Sequence, residues 1–208
     1  MNSDQQFWWN WWVSLGVAGG TLLTVAVALF GDLIRRRFFP PILRMQLLRK
    51  AGELTKFTSG EPVRYYHLRV VNERRWSPAS DVQVFLTRVE EPGPNGELQV
   101  TWLGEVPLRW RHQEVVPLTR SIGPSADTDL CSVAPNDGLR LMPLIVPNSL
   151  EARRQRTCKL VTSLQARSIE GDSEVVRVEI AWDGAWEAGE AEMQRHLVVR
   201  QLLAERSD

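Results

Sequence analysis

The chain has few residues that commonly carry chemistry: 2 cysteines and 3 histidines among 208 residues. Cys131 and Cys158 are too few for a disulfide framework, and free thiols suit a reducing compartment. They lack the spacing of a redox motif, and no histidine stands at a metal-ligand spacing from another histidine or a cysteine. The sequence therefore predicts no metal site and no disulfide-based fold.

Familiar catalytic motifs are also absent. The chain contains no glycine-rich phosphate or dinucleotide loop and no nucleophile elbow. His67 falls in an alternating apolar segment and is predicted to pack rather than to react. Asp127 and Asp129 alternate on one strand face. We expect them to be exposed and solvated, with a cation site as the alternative. The sequence predicts no catalytic residue, no cofactor and no enzyme.

An excess of charge of either sign is missing, since 25 basic residues balance 25 acidic ones. Three of the basic and two of the acidic residues lie in the first 42, which leaves 22 and 23 in the remainder. A general nucleic-acid-binding surface shows a basic excess. The balance therefore argues against general nucleic-acid binding.

Near the N-terminus all charge is missing, because 27 consecutive residues between Asp4 and Asp32 are uncharged. A bilayer core of about 30 Å needs about 20 helical residues. We predict a transmembrane helix at 8–34, after a short extracytoplasmic N-terminus at 1–7 and before a basic linker at 35–42. A buried helix and a cleaved signal peptide are the alternatives, but a signal peptide carries its basic residues before the apolar stretch.

Charge and aromatic residues predict how this helix is oriented. Basic residues beside a membrane segment stay cytoplasmic, and tryptophan prefers the membrane interface. The predicted interface residues at the two ends are Trp8, Trp9, Trp11, Trp12, Arg35, Arg36 and Arg37. These residues predict a single-pass protein of the cell inner membrane, with its N-terminus outside and its C-terminal domain in the cytoplasm.

Small residues recur along one face of the predicted helix. Gly16, Gly20, Thr24 and Ala28 are spaced by four, which places them on the same face. Two helices approach closely at such a face. We expect self-association through it; ordinary membrane-helix composition is the other interpretation.

Residues 43–200 predict a β-sandwich, followed by a polar tail at 201–208. Alternation indicates strands near 43–47, 63–72, 81–86, 98–103, 127–133, 159–169, 174–182 and 191–199. An interfacial helix is the alternative at 42–50, and 148–156 is the one other helical candidate. The predicted fold class is all-β, an antiparallel immunoglobulin-like sandwich preceded by one N-terminal transmembrane α-helix.

Two segments carry a resemblance to a known group. Residues 67–72 with 77–84 look like the B-to-C corner of an immunoglobulin-like sandwich, and 179–186 with 193–199 look like its end. The chain resembles membrane-tethered prokaryotic immunoglobulin-like β-sandwich proteins of unassigned function. The cysteine and tryptophan core of antibody domains is missing, and the resemblance implies a fold rather than an activity.

Arginine recurs in three loops, and in two of them it stands beside tryptophan. Guanidinium groups bind phosphates in pairs of hydrogen bonds, and indoles stack on bases. If the loops met at one end of the sandwich, they would form a nucleotide pocket; solvated loops and a core tryptophan are the alternatives. The candidate ligand-binding residues are Arg74, Trp76, Arg109, Trp110, Arg153, Arg154 and Arg156.

These observations predict a membrane-anchored, non-catalytic recognition module that acts in the cytoplasm. The alternative is an oligomerising membrane effector of a prokaryotic defence system, whose sandwich senses a nucleotide or a partner protein. The predicted partners are the lipid bilayer, a second copy through the helix, and a protein or a small nucleotide.

Overall fold

The computed structural model describes residues 3–111 and 119–202, with the side chains of 3–5, 29 and 32–36 left aside. The chain divides into two compact units after Pro40. The first unit is the helix α1, Ser3–Phe38. Its stretch Gln6–Ala28 is 23 residues long and none of it is buried. It is long and apolar enough to cross a membrane, and a signal sequence also fits that description.

The second unit is the sandwich that the alternation predicts. Its elements in chain order are β1 Leu43–Leu47, β2 Glu53–Lys56, β3 Pro62–Asn72, β4 Ala79–Pro92, β5 Leu98–Pro107, β6 Arg120–Ile122, β7 Ser125–Ala134, β8 Gly138–Leu141, β9 Arg153–Arg154, β10 Cys158–Ser168, β11 Gly171–Asp172, β12 Val176–Trp182, α2 Glu190–His196 and β13 Leu197–Leu202. The predicted fold class, an antiparallel two-sheet sandwich after an apolar helix, is confirmed.

Two antiparallel sheets make the sandwich. Sheet 1 has the order β1-β3-β7-β8-β9, with β2 also pairing β3. Sheet 2 has the order β13-β12-β10-β4-β5, with β11 on β10 and β6 on β4. The run β12-β10-β4-β5 matches the G-F-C-C′ sheet of immunoglobulin-like domains. Sheet 1 departs from that pattern. Its strand β8 follows β7 directly in the chain and pairs with the edge of β7 that faces away from β3.

Alternation explains how the two sheets close on one core. Along β3 the side chains of Tyr66, Leu68 and Val70 are fully buried, and along β10 those of Leu160 and Leu164 are too. The chain passes from sheet 2 to sheet 1 at the end of β5, where the Leu108 amide donates to Val84 (2.8 Å) and the Arg111 amide to Asp127 (3.0 Å). This crossing closes one side of the sandwich.

Two local predictions are wrong. Residues 191–196 form most of α2 instead of a strand, because Met193 is fully buried while acidic residues start the helix and basic ones end it. Residues 148–156, the helical candidate, form a turn, the short strand β9 and a bend. At 42–50 the strand interpretation is confirmed, since Leu43 to Leu47 pair in register with Asn72 to Leu68.

Candidate binding groove

A groove of about 1050 Å³ opens at the end of the sandwich where β4 and β12 end and β10 begins. We call it the distal groove. Its basic lining side chains are Arg153, Arg154, Arg156, Lys159 and Arg195, joined by His196. Its acidic lining side chains are Glu91, Glu151 and Asp183. With five Lys and Arg against three acids, these lining residues carry two excess positive charges.

The floor of the groove is a row of side chains across the outer face of sheet 2. Lys159 pairs with Ala181, and Ala181 pairs with Val198. Successive side chains alternate between faces, so the neighbouring Trp182 points into the core and is only 4% exposed. Among the described lining residues Trp182 is the one tryptophan. The floor is therefore flat, small and basic, without an indole for a base to stack on.

The arginines of the groove are placed by the β8–β9 pair. Leu139 pairs with Arg154 and Arg140 with Arg153. Gly138 begins β8 at φ +71°, and a Cβ there would fall directly on the carbonyl oxygen of Arg154. Glycine adopts this left-handed conformation without strain. The close approach of β9 to β8 therefore depends on Gly138.

Two of the three predicted groove arginines are neutralised by carboxylates. Arg154 donates to Glu91 and to Glu151, the latter at 2.9 Å, and its side chain is 11% exposed. Arg153 lies 2.6 Å from the carboxylate of Asp137. Guanidinium groups held this way stabilise the loop, and they are poorly placed to receive a ligand. Arg153 and Arg154 therefore contribute to the wall of the groove instead of binding a ligand.

The remaining basic groups supply the excess charge. Within the described part of the chain, Arg156 is exposed and no acid pairs with it. Arg195 is 73% exposed and lies 4.0 Å from Glu192. Lys159 lies 3.5 Å from Glu179 across the floor. An anionic ligand would contact these three groups first.

A hydrogen-bonded turn forms the opposite wall. His196 Nδ1 lies 2.8 Å from the Asp183 carboxylate, and this contact lowers the pKa of Asp183. The hydroxyl of Thr157 donates to the Asp183 carbonyl oxygen (2.7 Å). Trp182 Nε1 donates to the carbonyl oxygen of Ala185 (2.7 Å). The wall is thus fixed to β10 on one side and to α2 on the other.

The cysteines are poor nucleophiles in this setting. Cys158 lines the groove, and burial raises its pKa to about 11. Cys131 is fully buried in the core, where desolvation also raises its pKa. The reactive form of cysteine is the thiolate. Both side chains are therefore thiols at neutral pH.

The candidate residues Arg74 and Trp76 lie at the other end of the sandwich. They follow β3 and precede Ala79, where β4 begins, whereas Glu91 and Pro92 at the end of β4 line the groove. The 14 residues of β4 separate the two sites, a distance of roughly 40 Å at the usual strand rise. The three loops therefore do not meet in one nucleotide pocket.

Arg109 and Trp110 occupy two further environments. Arg109 is exposed and lines a cavity of about 220 Å³ with Tyr65 and Arg140 on the outer face of sheet 1. Trp110 is 2% exposed and belongs to the core. Its prediction as a ligand-binding residue is corrected, because the indole fills the space where the chain crosses between the sheets. The adjoining His112 lies outside the described residues.

The expectation of solvated acids on β7 is wrong. Asp127 accepts two hydrogen bonds from Arg69 at 2.7 and 3.1 Å, which lower its pKa. Asp129 is 7% exposed and lies 2.9 Å from Nδ1 of the buried His67. The packing predicted for His67 is confirmed. Among the described residues no group of three or more potential ligands is placed to hold a metal ion.

The helix carries the remaining candidate residues. A Cβ added at Gly16 or at Gly20 would meet nothing within 4 Å, so that face of the helix is open. The Thr24 hydroxyl donates to the Gly20 carbonyl (2.8 Å), and Ala28 is exposed on the same side. Whether this face binds a second helix stays a prediction.

The ends of the helix differ in composition. Trp8, Trp11 and Trp12 form a chain of edge-to-face contacts with centroids 5.0–6.1 Å apart, and Trp9 is 65% exposed. Arg37 is exposed at the other end, and the side chains of Arg35 and Arg36 lie outside the described residues. The predicted role of these groups at a membrane interface remains a prediction.

Sequence reasoning missed part of the groove. Lys159 lies three residues after Arg156, whereas Asp183, Arg195 and His196 are distant from it along the chain. No local pattern marks them as neighbours, since cross-strand pairing alone brings β10, β12 and β13 together. The one usable signal was Asp183-Gly184, which indicates a turn.

A scan against models of protein families finds no match, and a search of curated proteins finds no similar sequence.

Proposed function

We propose that the protein is a membrane-anchored, non-catalytic recognition module whose sandwich binds an acidic segment of a partner protein in the distal groove. The observation that carries this proposal is the combination of two separate units. One is a helix with 23 apolar residues and no burial, and the other is a sandwich with its own closed core. Exposed apolar surface of that extent needs an apolar environment.

A bilayer supplies that environment. The stretch Gln6–Ala28 is about 35 Å long at the usual helical rise, enough for the hydrocarbon core. Aromatic residues at its beginning and arginines after its end favour a permanent span over a cleaved signal, whose basic residues precede the apolar stretch. The same arginines favour an inner-membrane protein with its sandwich in the cytoplasm.

The groove chemistry favours a peptide over a nucleotide. Arg156, Lys159 and Arg195 present separate cations along an open surface, and the lining indole of Trp182 faces the core. An exposed indole on which a base could stack is therefore missing from the described lining. Glutamate and aspartate side chains spaced along an extended segment complement the separate cations.

Alkaline extraction of native membranes followed by intact-mass measurement tests the anchor. We expect the chain to remain in the membrane pellet with the mass of a protein that retains residues 6–28. A soluble protein that has lost those residues would show that the helix is a signal sequence and would overturn the membrane proposal.

Fluorescence anisotropy with a labelled oligoglutamate peptide tests the groove, using the full-length protein in neutral nanodiscs. The double substitution Arg156→Glu and Lys159→Glu should weaken binding about tenfold or more, because it reverses two exposed cations on the groove surface. The matched control is Arg75→Glu, an exposed arginine at the other end of the sandwich. Equal loss in the control, or no binding by the unmodified protein, would contradict the proposal.

A second candidate function is an oligomerising membrane effector of a prokaryotic defence system. The open helix face at Gly16 and Gly20 favours it, because two backbones approach closely where Cβ atoms are missing. The double substitution Gly16→Leu and Gly20→Leu should convert an oligomer into a monomer in native mass spectrometry. A protein that is monomeric before the substitution would leave the recognition module as the better description.

A further inference from the structure

The turn between β3 and β4 presents a tryptophan to solvent at the proximal end of the sandwich. Trp76 is 60% exposed, and Arg75 beside it is exposed as well. We call residues 74–76 the proximal corner. Isolated exposed apolar residues are common. An indole next to consecutive arginines, however, combines an apolar ring with positive charge at one place on the surface.

The proximal corner is held by a buried polar side chain. Asn72 is fully buried; its Nδ2 donates to the Ser77 carbonyl (2.7 Å) and its Oδ1 accepts from the Arg74 amide (3.1 Å). The Ser77 amide also donates to the Arg74 carbonyl (2.8 Å). A turn closed from both sides keeps its conformation, so the exposure of Trp76 is a fixed feature of the fold.

The corner lies beside the first strand of the sandwich. Leu43 pairs with Asn72, the Glu73 amide donates to the Ile42 carbonyl (2.9 Å), and Arg44 forms an ion pair with Glu73 (2.9 Å). Only four residue steps connect Phe38, where α1 ends, to Ile42. Four extended residues span at most about 14 Å. If Gln6–Ala28 crosses a membrane, the rest of α1 adds about 15 Å, so the corner is tethered within about 30 Å of the membrane surface.

We propose that the proximal corner is a second membrane contact, in which Trp76 lies at the headgroup level and the exposed Arg75 binds anionic lipid headgroups. This proposal rests on the proposed function, since it requires α1 to be a membrane anchor. Indoles favour the interface because one edge is polar and the ring is apolar. Each basic residue near an anionic surface contributes about 1 kcal/mol.

Docking at this corner has a consequence for recognition. The distal groove is at the other end of β4, roughly 40 Å away at the usual strand rise. A sandwich held at its proximal end would present the groove to the cytoplasm instead of to the lipid. A flexible tether alone would leave the groove free to face the bilayer, whose anionic lipids would compete for its cations.

Quenching by brominated lipids tests the proposal on the full-length protein. The protein is reconstituted in phosphatidylcholine vesicles with or without phosphatidylglycerol, with bromine near the headgroup. The emission of Trp76 is the difference between the unmodified protein and Trp76→Phe. We expect about half of this difference to be quenched in anionic vesicles, because the indole would lie at the depth of the bromine.

The matched control is Trp186→Phe, since Trp186 follows β12 near the distal end and is partly buried. Its difference signal should not be quenched. Arg75→Gln should reduce the dependence on phosphatidylglycerol. An unquenched Trp76 signal would overturn the proposal.

Vesicle flotation separates the two proposals. Protein that floats while its Trp76 signal is unquenched retains its anchor and lacks the corner contact. Protein that does not float lacks the membrane anchor, and this outcome would contradict the proposed function itself.

Discussion

The two ends of the sandwich use the same residue types in opposite ways. At the proximal corner the indole of Trp76 is 60% exposed beside consecutive arginines. At the distal groove Trp182 is 4% exposed, and Arg154 is held between two carboxylates. Both ends bring arginine and tryptophan together, but only the proximal corner has them adjacent in the sequence. Their neighbours in space decide which groups remain available to a partner.

Loops of similar composition therefore do not have to belong to one composite binding site. Arg74 and Arg156 lie at opposite ends of β4, and the candidate indole of Trp110 fills the core. The geometry supports two separate surfaces, one suited to lipid headgroups and one to an acidic peptide. Each prediction below changes one side of the comparison and leaves the other in place.

The largest expected effect separates a core tryptophan from a surface one. Trp110→Ala should lower the free energy of unfolding by about 3–5 kcal/mol, because it leaves a cavity where the two sheets join. Trp76→Ala should change it by about 0.5 kcal/mol or less, since the indole is largely exposed. Denaturant unfolding of the full chain in detergent measures both. Equal effects would show that Trp76 is a structural residue.

An intermediate effect is expected at the turn that builds the groove. Gly138→Ala places a Cβ against the Arg154 carbonyl at a positive φ, so we expect a loss of about 2 kcal/mol and weaker peptide binding.

Gly96→Ala is the control for Gly138→Ala. It has a similar φ of +81° with open space around the Cβ, and should cost about 1 kcal/mol without affecting binding. A Gly138 variant that binds normally would show that β9 does not shape the groove.

The smallest effect concerns the ion pair of Arg69 and Asp127 on sheet 1. The pKa of Asp127 is lowered in the folded state, so its contribution is present above its unfolded value of about 3.9 and is lost as pH falls through the folded value. Asp127→Asn should lower the free energy of unfolding by about 1 kcal/mol at pH 7. The loss is this small because Arg69 is partly exposed and solvent screens the ion pair.

Unfolding measured from pH 7 down to pH 3 checks this sign. The stability difference between the unmodified protein and Asp127→Asn should shrink as the medium becomes more acidic than about pH 4. A difference that stays constant with pH would mean that the carboxylate contributes through its shape instead of its charge. Neither end of the sandwich should change in lipid or peptide binding.

Much of the fold was predictable because its strands alternate cleanly. The segments at 43–47, 63–72 and 174–182 match β1, β3 and β12 closely. The short elements β6, β9 and β11 were not predicted, since two or three residues carry no period. Helix α2 was mistaken for a strand because its single buried side chain, Met193, has too little context to distinguish a helix from a strand.

The candidate site was predicted only in part. The cluster at Arg153 to Arg156 was found because consecutive arginines mark a loop with binding chemistry. Their carboxylate partners Glu91 and Asp137 were not, since each belongs to a different strand or turn. Charge compensation between distant elements depends on strand pairing, and a single sequence does not contain that pairing.

The amino-acid sequence by itself determined the apolar helix, its terminal tryptophans and arginines, and the alternation that makes two sheets, because these are local patterns with a definite period. The tertiary structure alone decided which arginines are neutralised, which indole is buried, and that the proximal corner and the distal groove lie at opposite ends. Those outcomes depend on pairing across the sheets, where Cys158, Trp182 and Leu197 stand side by side although they are far apart in the chain.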